Sequence, residues 1–192
     1  MEESRNRHFA NQSASVRDTL QFAITTICQF TGWTVGHAYL SEVDKDQIQL
    51  VSTSIWHACD PARIREFHDV TENTHFNRGV GLPGRVWSEK KAATIRDLPK
   101  DQNFPRLQLA QAAGLQGAMA LPLMAGEEFF GVIEFLTEQP FEPDADLIEM
   151  MTAIAMTAMI SAYSTSPWPS SLFKNSTIAL LPRRGGRGNG RK

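Results

Sequence analysis

The sequence has few cysteines and no long hydrophobic run. Cys28 and Cys59 are the two cysteines among 192 residues, which is too few for a disulfide framework and favours a reducing compartment. Residues 2–7 are polar or charged, so we predict no secretory leader. The most apolar segment, residues 147–160, is only about 14 residues long and contains threonine, which is too short for a bilayer span. We therefore expect a cytoplasmic protein without a membrane span.

Positive charge is scarce except at one end. Residues 164–192 hold six basic residues and no acidic one, while the rest of the chain has 13 basic and 21 acidic residues. An arginine- and glycine-containing end without aromatic residues among its arginines is typical of a solvated tail, so we predict no specific nucleic-acid partner. We predict a flexible segment at 1–13, one domain at 14–163 and a disordered basic tail at 164–192.

Hydrophobic periodicity predicts an α+β domain. Apolar residues recur at helical spacing from Ser15 to Gly32 and alternate as in strands at 34–41 and 48–57. A polar region at 60–78 follows. The remaining predicted elements are short helices opened by Pro83 and Pro105, a strand at 92–96, a hairpin of 118–124 with 128–137, and a helix from Asp144 to about Ala162. This order predicts a central antiparallel sheet of about five to six strands, with the terminal helices on one face and lid helices and loops on the other.

The glycine-rich stretch 79–84 has two interpretations. Its Gly-x-Gly-x-x-Gly spacing matches a dinucleotide phosphate loop, and Asp97 lies where a ribose-binding acid would be expected. However, Pro83 removes a backbone donor from the loop, and no further βαβ units follow. These two features disfavour a nucleotide-binding fold.

The second interpretation depends on the order of several motifs. They are Thr31-Gly32-Trp33, the run Gly79-Val-Gly-Leu-Pro-Gly-Arg-Val-Trp87, Asp97, Asn103-Phe-Pro-Arg106 and Gly131-Val-Ile-Glu-Phe135. Over roughly residues 14–162 this order resembles the GAF domain family, in particular the GAF modules of bacterial sensor kinases and cyclic-dinucleotide signalling proteins. The resemblance implies a PAS-like fold and a role in signal transduction.

An acidic residue lies within the last predicted strand. Alternation places Glu134 on one face with Phe130, Val132 and Leu136. A carboxylate in such a place has to be paired, protonated or bound to a ligand. Arg85 and Arg106 are the candidate partners, and the ion pair either only joins the lid to the sheet or forms the polar end of a pocket. The predicted ligand-binding set is Tyr39, Trp56, Arg85, Trp87, Phe104, Arg106 and Glu134.

Catalytic and metal-binding motifs are missing from the sequence. There is no G-x-S-x-G, H-E-x-x-H or P-loop lysine, and His37 is the best single candidate for a haem axial ligand. Free methionine sulfoxide reductases look like GAF domains, but their redox cysteines lie around the glycine-rich loop, where this chain has Leu82 and Pro83. Bilin-binding relatives use a cysteine in the region equivalent to 104–114, where this chain has none. We predict no enzymatic activity and no metal site, and no cofactor is identified.

The family resemblance implies a sensory module that binds an unidentified small molecule between sheet and lid. The last helix has more apolar surface than one sheet can cover, which predicts a homodimer through the first and last helices, with Met151 and Ile154 at the contact. In relatives these helices lead into histidine kinase or diguanylate cyclase domains, so we expect the output there. The alternatives are a ligand-free dimerisation module with a closed pocket and, less favoured, a redox enzyme dependent on Cys28 and Cys59.

Overall fold

The computed structural model describes residues 2–44, 47–140, 142 and 144–164. The helices and strands follow one another along the chain in the predicted order. In chain order the elements are α1 Glu2–Thr31, β1 Val35–Asp44, β2 Gln47–Ala58, α2 Arg65–Glu72, α3 Gly81–Glu89, β3 Ala93–Ile95, a 3₁₀ turn Leu98–Lys100, α4 Leu107–Ala112, β4 Gly117–Ala125, β5 Glu128–Thr137 and α5 Ala145–Ser164.

The strands form one antiparallel sheet of order β2-β1-β5-β4-β3. Both predicted hairpins are present, and Gly126 has the positive φ of 60° that the tight β4–β5 turn requires. β1 and β5 are neighbours although 83 residues lie between the end of β1 and the start of β5, and His37 pairs directly with Glu134. The two central strands therefore place these polar residues side by side.

Two hydrophobic layers cover the sheet, as the sequence predicted. α1 and α5 pack on one face, which we call the helix face. The lid elements α2, α3 and α4 pack on the other, the lid face. Buried residues of the helix face include Leu20, Ile24, Ile133, Phe135 and Met151, and those of the lid face include Tyr39, Phe67, Phe76, Leu82 and Val132. The predicted α+β architecture is confirmed.

Two details differ from the sequence-based prediction, and one predicted segment lies outside the described residues. α1 begins at Glu2 rather than Ser15, because no glycine or proline interrupts residues 2–31. Phe130 lies on the helix face rather than with Glu134, since the register of β4 and β5 shifts between Leu123 and Met124. The predicted basic tail, from residue 165 onward, lies outside the described residues. Within the described part of the chain, no helix combines the length and hydropathy that a bilayer span requires.

Candidate functional site

Glu134 is fully buried at the middle of β5 and forms an ion pair with Arg106. Arg106 immediately precedes α4, and its Nη2 donates to both carboxylate oxygens at 2.8 and 2.9 Å. The Tyr39 hydroxyl donates to Glu134 Oε2 at 3.1 Å. Arg106, and not Arg85, is thus the partner of Glu134 that the sequence left open. One guanidinium nitrogen and the Tyr39 hydroxyl together satisfy both oxygens of the buried carboxylate.

Arg106 also connects the lid to the sheet. Its Nη1 donates to the Tyr39 hydroxyl at 2.8 Å and to Thr71 Oγ1 in α2 at 3.0 Å. The rings of Phe67, Phe76 and Phe104 surround it, with centroids 4.9–5.0 Å from the guanidinium carbon. Among the described residues, Arg106 Nε has no hydrogen-bond partner. The Arg106 side chain therefore connects the start of α4 with α2, β1 and β5. Its Nε–H is a buried donor that no described residue accepts from.

The protonation states in this network follow from burial and charge. Burial raises the pKa of Tyr39 well above its ordinary value, so the hydroxyl keeps its proton and donates to Glu134. Burial alone would lower the pKa of Arg106, but the Glu134 carboxylate outweighs it and the net pKa is raised. Arg106 is therefore a permanent buried cation.

The structure does not bring every predicted site residue to Glu134. Tyr39, Phe104 and Arg106 lie together around it, as described above. Arg85 instead donates to Asp101 at 2.9 Å, and Trp87 stacks on Phe129 with ring centroids 5.9 Å apart. Trp56 lies in a neighbouring network.

That neighbouring network centres on Glu72, which sequence reasoning missed. Its carboxylate accepts hydrogen bonds from Ser52 Oγ at 2.6 Å, Ser54 Oγ at 2.5 Å and Trp56 Nε1 at 2.5 Å. Burial would raise the pKa of Glu72, but these three hydrogen bonds outweigh it and the net pKa is lowered. The alternating pattern of residues 52, 54 and 56 was the available signal, because alternate strand residues share a face. Glu72 fastens the end of α2 to β2.

His37 lies between the two networks. It is fully buried, its ring stacks on Trp56 at 3.9 Å between centroids, and its Nε2 lies 2.9 Å from Ser52 Oγ. Because Ser52 donates its hydroxyl proton to Glu72, the hydrogen-bond network assigns the imidazole proton to Nε2. Nδ1 is then a buried acceptor without a hydrogen-bond partner among the described residues. Burial first, and then the charges of Arg106 and His68, lower the pKa of His37 well below 6.5.

The glycine-rich loop is closed on itself. Gly79 N donates to Gly84 O at 2.8 Å, and Gly84 N donates to Val80 O at 3.0 Å. The side chain of Asn103 accepts from Gly81 N at 2.9 Å and donates to Gly79 O at 2.8 Å. Arg106 takes the N-cap position because α4 begins two residues later than Pro105 suggested. The loop amides are used internally, which agrees with the rejection of a phosphate loop.

A cleft of about 300 Å³ opens between α2 and α4. Its lining includes Arg65 and Glu66 at the rim and Phe67, Leu109 and Ala113 deeper. Phe67 is 1% exposed and also covers the Arg106 guanidinium. A single aromatic ring therefore separates this cleft from the buried ion pair.

The family model for the GAF domain matches residues 13–161. The chain belongs to the GAF domain family. No curated protein sequence matches it. The family assignment made from the motif order is thus confirmed, and with it the fold.

Solved structures similar to this GAF domain come from enzymes and from signalling proteins. A free methionine-R-sulfoxide reductase of Neisseria meningitidis, in complex with its substrate, has a TM-score of 0.58 and 16% identity, covering 79% of this chain and 81% of its own. The GAF domain of an Acinetobacter phosphoenolpyruvate-protein phosphotransferase has 0.58 and 14%, covering 83% and 90%. A domain of a protein named as a two-component sensor histidine kinase of Sinorhizobium meliloti has 0.52 and 11%, covering 72% and 85%. At these identities the likeness establishes the fold alone.

The sequence-based prediction of no enzymatic activity has to be corrected. The Neisseria structure shows that the fold of this GAF domain supports an enzyme. The prediction failed because it searched for linear motifs, whereas thiol chemistry requires only that tertiary structure place cysteines suitably. Among the described residues, no group of three His, Cys, Asp or Glu side chains is arranged to hold a metal ion.

The buried His37 predicts how the stability of this GAF domain changes with pH. The unfolded chain binds a proton near pH 6.5, whereas folded His37 does so only well below that value. Its contribution to stability is therefore full above pH 6.5 and is lost as the pH falls below 6.5, with a slope approaching about 1.4 kcal/mol per pH unit. Urea denaturation between pH 8 and 5 should show a smaller slope for His37→Asn than for the wild type. The exposed His75→Asn is the control and should keep the wild-type slope; parallel curves for His37→Asn would contradict the assignment.

Proposed function

We propose that this GAF domain is a cytoplasmic sensory module of a bacterial signalling protein, which binds a small molecule between sheet and lid and transmits its occupancy through α1 and α5. The observation that carries the proposal is the buried polar layer on the lid face. It consists of His37, Arg106 and Glu134 with Tyr39 and Thr71, all less than 4% exposed. The similar structures from phosphotransferase and kinase proteins support a role in signalling.

The stability of the fold does not by itself explain why this buried layer is polar. Well-packed apolar residues generally stabilise a core as well as a buried ion pair does, or better. Moreover, Arg106 Nε and His37 Nδ1 are a buried donor and a buried acceptor without partners among the described residues. Such unpaired groups cost free energy unless a water or a ligand satisfies them. We infer a small ligand that accepts from Arg106 and donates to His37.

The α2–α4 cleft is the proposed entrance. Rotation of Phe67 would open it toward Arg106, since this ring lines the cleft and covers the guanidinium. Within the predicted ligand set, Tyr39, Arg106 and Glu134 would form the polar end. Phe104 would be an apolar wall beside Arg106, and Trp56 the wall beside His37. Arg85 and Trp87 would act on the pocket only through the lid. A ligand that prefers the closed lid would shift the population toward it and so change the packing of the terminal helices.

Thermal denaturation in the presence of a panel of metabolites and nucleotides tests ligand binding. A true ligand should raise the melting temperature as its concentration rises, reaching about 2.7 kcal/mol of stabilisation at 100 Kd. Ala113→Phe, which fills the cleft, should abolish the shift, whereas Val70→Phe on the outer side of α2 should retain it. A shift that survives Ala113→Phe would place the ligand elsewhere.

A closed, ligand-free dimerisation module is the second candidate, favoured because Arg106 and Tyr39 already donate to both oxygens of Glu134. The same panel distinguishes the two, because this module would show no concentration-dependent shift with any compound. In both cases the output passes to another domain or protein, such as a histidine kinase or a diguanylate cyclase.

The proposed homodimer uses the outer surface of the terminal helices. Phe22 and Phe30 of α1 are 72% and 69% exposed, and Met156 of α5 is 41% exposed. Met151, which the sequence placed at the contact, is fully buried within its own domain because α5 packs on α1 and β4. Exposed aromatic side chains of this size are typical of an interface.

The double substitution Phe22→Glu with Met156→Glu should therefore give a monomer in sedimentation velocity, since four carboxylates would face one another across the interface. Val70→Glu, at an apolar position on α2 that is 44% exposed, should leave the dimer intact. A dimer that persists in the double variant would exclude this surface.

A further inference from the structure

Cys59 and His57 lie together at the end of β2, away from the lid site, and Cys28 of α1 packs on the helix face nearby, against Gly36 of β1. Cys59 is exposed and directly follows β2, held by a hydrogen bond from its backbone N to Thr34 O at 3.0 Å. Its Sγ lies 3.8 Å from His57 Nε2 and 3.8 Å from the Trp33 carbonyl oxygen. The thiol thus has a potential proton acceptor at contact distance.

The second thiol approaches the same imidazole from α1. Gly36 of β1 is the cross-strand partner of His57, and paired residues of antiparallel strands project to the same face about 5 Å apart. A Cβ built on Gly36 would lie only 2.9 Å from the Sγ of buried Cys28. Gly36 therefore leaves room for the Cys28 thiol on the face of the sheet to which its partner His57 projects. The register thus places Cys28 beside Gly36 and Cys59 beside its partner His57, although 30 residues separate the two cysteines in the sequence.

The protonation states divide the roles of the two thiols. Burial lowers the pKa of His57, so its imidazole is neutral near pH 7 and can accept a proton. Burial, reinforced by the charge that Cys59 would carry, raises the pKa of Cys28 to about 12. Exposed Cys59 is therefore the thiol that reacts first, and Cys28 reacts second, after its proton has been removed.

We propose that Cys59 and Cys28 are a redox-sensitive pair that hydrogen peroxide converts into an intramolecular disulfide, with His57 as the positioning base. In the first step the Cys59 sulfur attacks peroxide, a sulfur–oxygen bond forms, the oxygen–oxygen bond breaks and one water leaves, giving a sulfenic acid. In the second step the Cys28 sulfur attacks the Cys59 sulfur, the disulfide forms and the sulfur–oxygen bond breaks. A second water carries away the hydroxyl and the Cys28 proton. The two thiols lose two electrons and one peroxide is reduced to two waters.

Such a bond would tie α1 to the end of β2. α1 supplies half of the proposed dimer surface, so oxidation would act on the same helix as a ligand does, but from the opposite face of the sheet. The pair does not depend on ligand binding under the lid. A reducing compartment would keep both cysteines as thiols until the concentration of hydrogen peroxide rises.

Peptide mapping after treatment with hydrogen peroxide tests the pair in the full chain. Trypsin cleaves after Arg17, Lys45 and Arg63 and therefore separates the two cysteines into peptides 18–45 and 46–63. Intact mass should fall by two hydrogen atoms, and the two peptides should run as one linked species that a reductant separates. Cys28→Ala should instead accumulate the Cys59 sulfenic acid, trapped by a dimedone reagent.

His57→Phe tests the role of the imidazole, with His75→Phe as the matched control on an exposed histidine away from the thiols. Loss of the base should slow the reaction of Cys59 with peroxide by about tenfold or more, since a positioned base contributes roughly 10²–10⁴-fold. An unchanged rate would overturn the role of His57. Sulfinic or sulfonic acid on Cys59 without a link to Cys28, or a Cys59–Cys59 bond between two molecules, would overturn the pair.

Discussion

Replacement of Glu134 by alanine should lower the free energy of unfolding by about 3–5 kcal/mol, because it leaves the guanidinium of Arg106 charged and unpaired in the core. Arg106 is 3% exposed and has no second carboxylate among the contacts described for it. Its proton cannot leave to relieve the cost, since the pKa of an arginine is above the working range. Urea denaturation at pH 7 measures the change.

Two further variants show whether the missing charge pair is the cause. Glu134→Leu combined with Arg106→Met should recover most of the stability, because removing both charges leaves neither of them unpaired. Glu142→Ala should change stability by less than about 0.5 kcal/mol, since its partner Arg96 and Glu142 itself are both 66% exposed in their side chains. A loss below about 1 kcal/mol for Glu134→Ala would mean that water reaches the pair.

Gly84→Ala should be nearly as damaging, with an expected loss of more than about 3 kcal/mol. A Cβ at this position would lie 2.3 Å from the backbone oxygen of Asn77 and 3.2 Å from backbone atoms of Gly79. Backbone atoms cannot rotate away as a side chain can, so α3 would have to separate from the loop that Asn103 holds. The same urea titration measures this loss.

Gly126→Ala is the matched control at a turn. Among the described residues no heavy atom lies within 4 Å of a Cβ built there, but φ is 60°. The expected cost is only the conformational one, about 1 kcal/mol. If Gly84→Ala and Gly126→Ala had equal effects, the close approach of α3 to its loop would not be the reason for the glycine.

Local features were predictable from the sequence because they depend on neighbours along the chain. Alternation identified the β4–β5 hairpin, Gly126 marked its turn, and the charge of Glu134 within an apolar strand indicated a buried partner. The choice between Arg85 and Arg106 was not predictable, since both follow a proline by two residues or fewer. Only the tertiary position of Arg106 beside Tyr39 of β1 and Glu134 of β5 distinguishes them. Arg85 instead donates a hydrogen bond to Asp101.

Other parts of the candidate site had no local signal. Glu72 looked like an ordinary surface residue at the end of a polar helix, and its three hydrogen bonds arise only when α2 lies on β2. His37 likewise has its unpaired Nδ1 because Trp56 and Ser52 are brought over it by strand pairing. The proposed pairing of Cys28 with Cys59 likewise depends on one cross-strand pair, Gly36 with His57.

The amino-acid sequence by itself determined the order of elements, the two faces of the sheet and membership of the GAF family, since periodicity and turn residues act over a few positions. Tertiary structure alone decided which arginine meets Glu134, which histidine is buried with a nitrogen that no described residue pairs, and which thiol contacts an imidazole. The physical reason is that a hydrogen bond or ion pair acts over about 3 Å, and the register between strands and the placement of the lid decide which distant residues come that close.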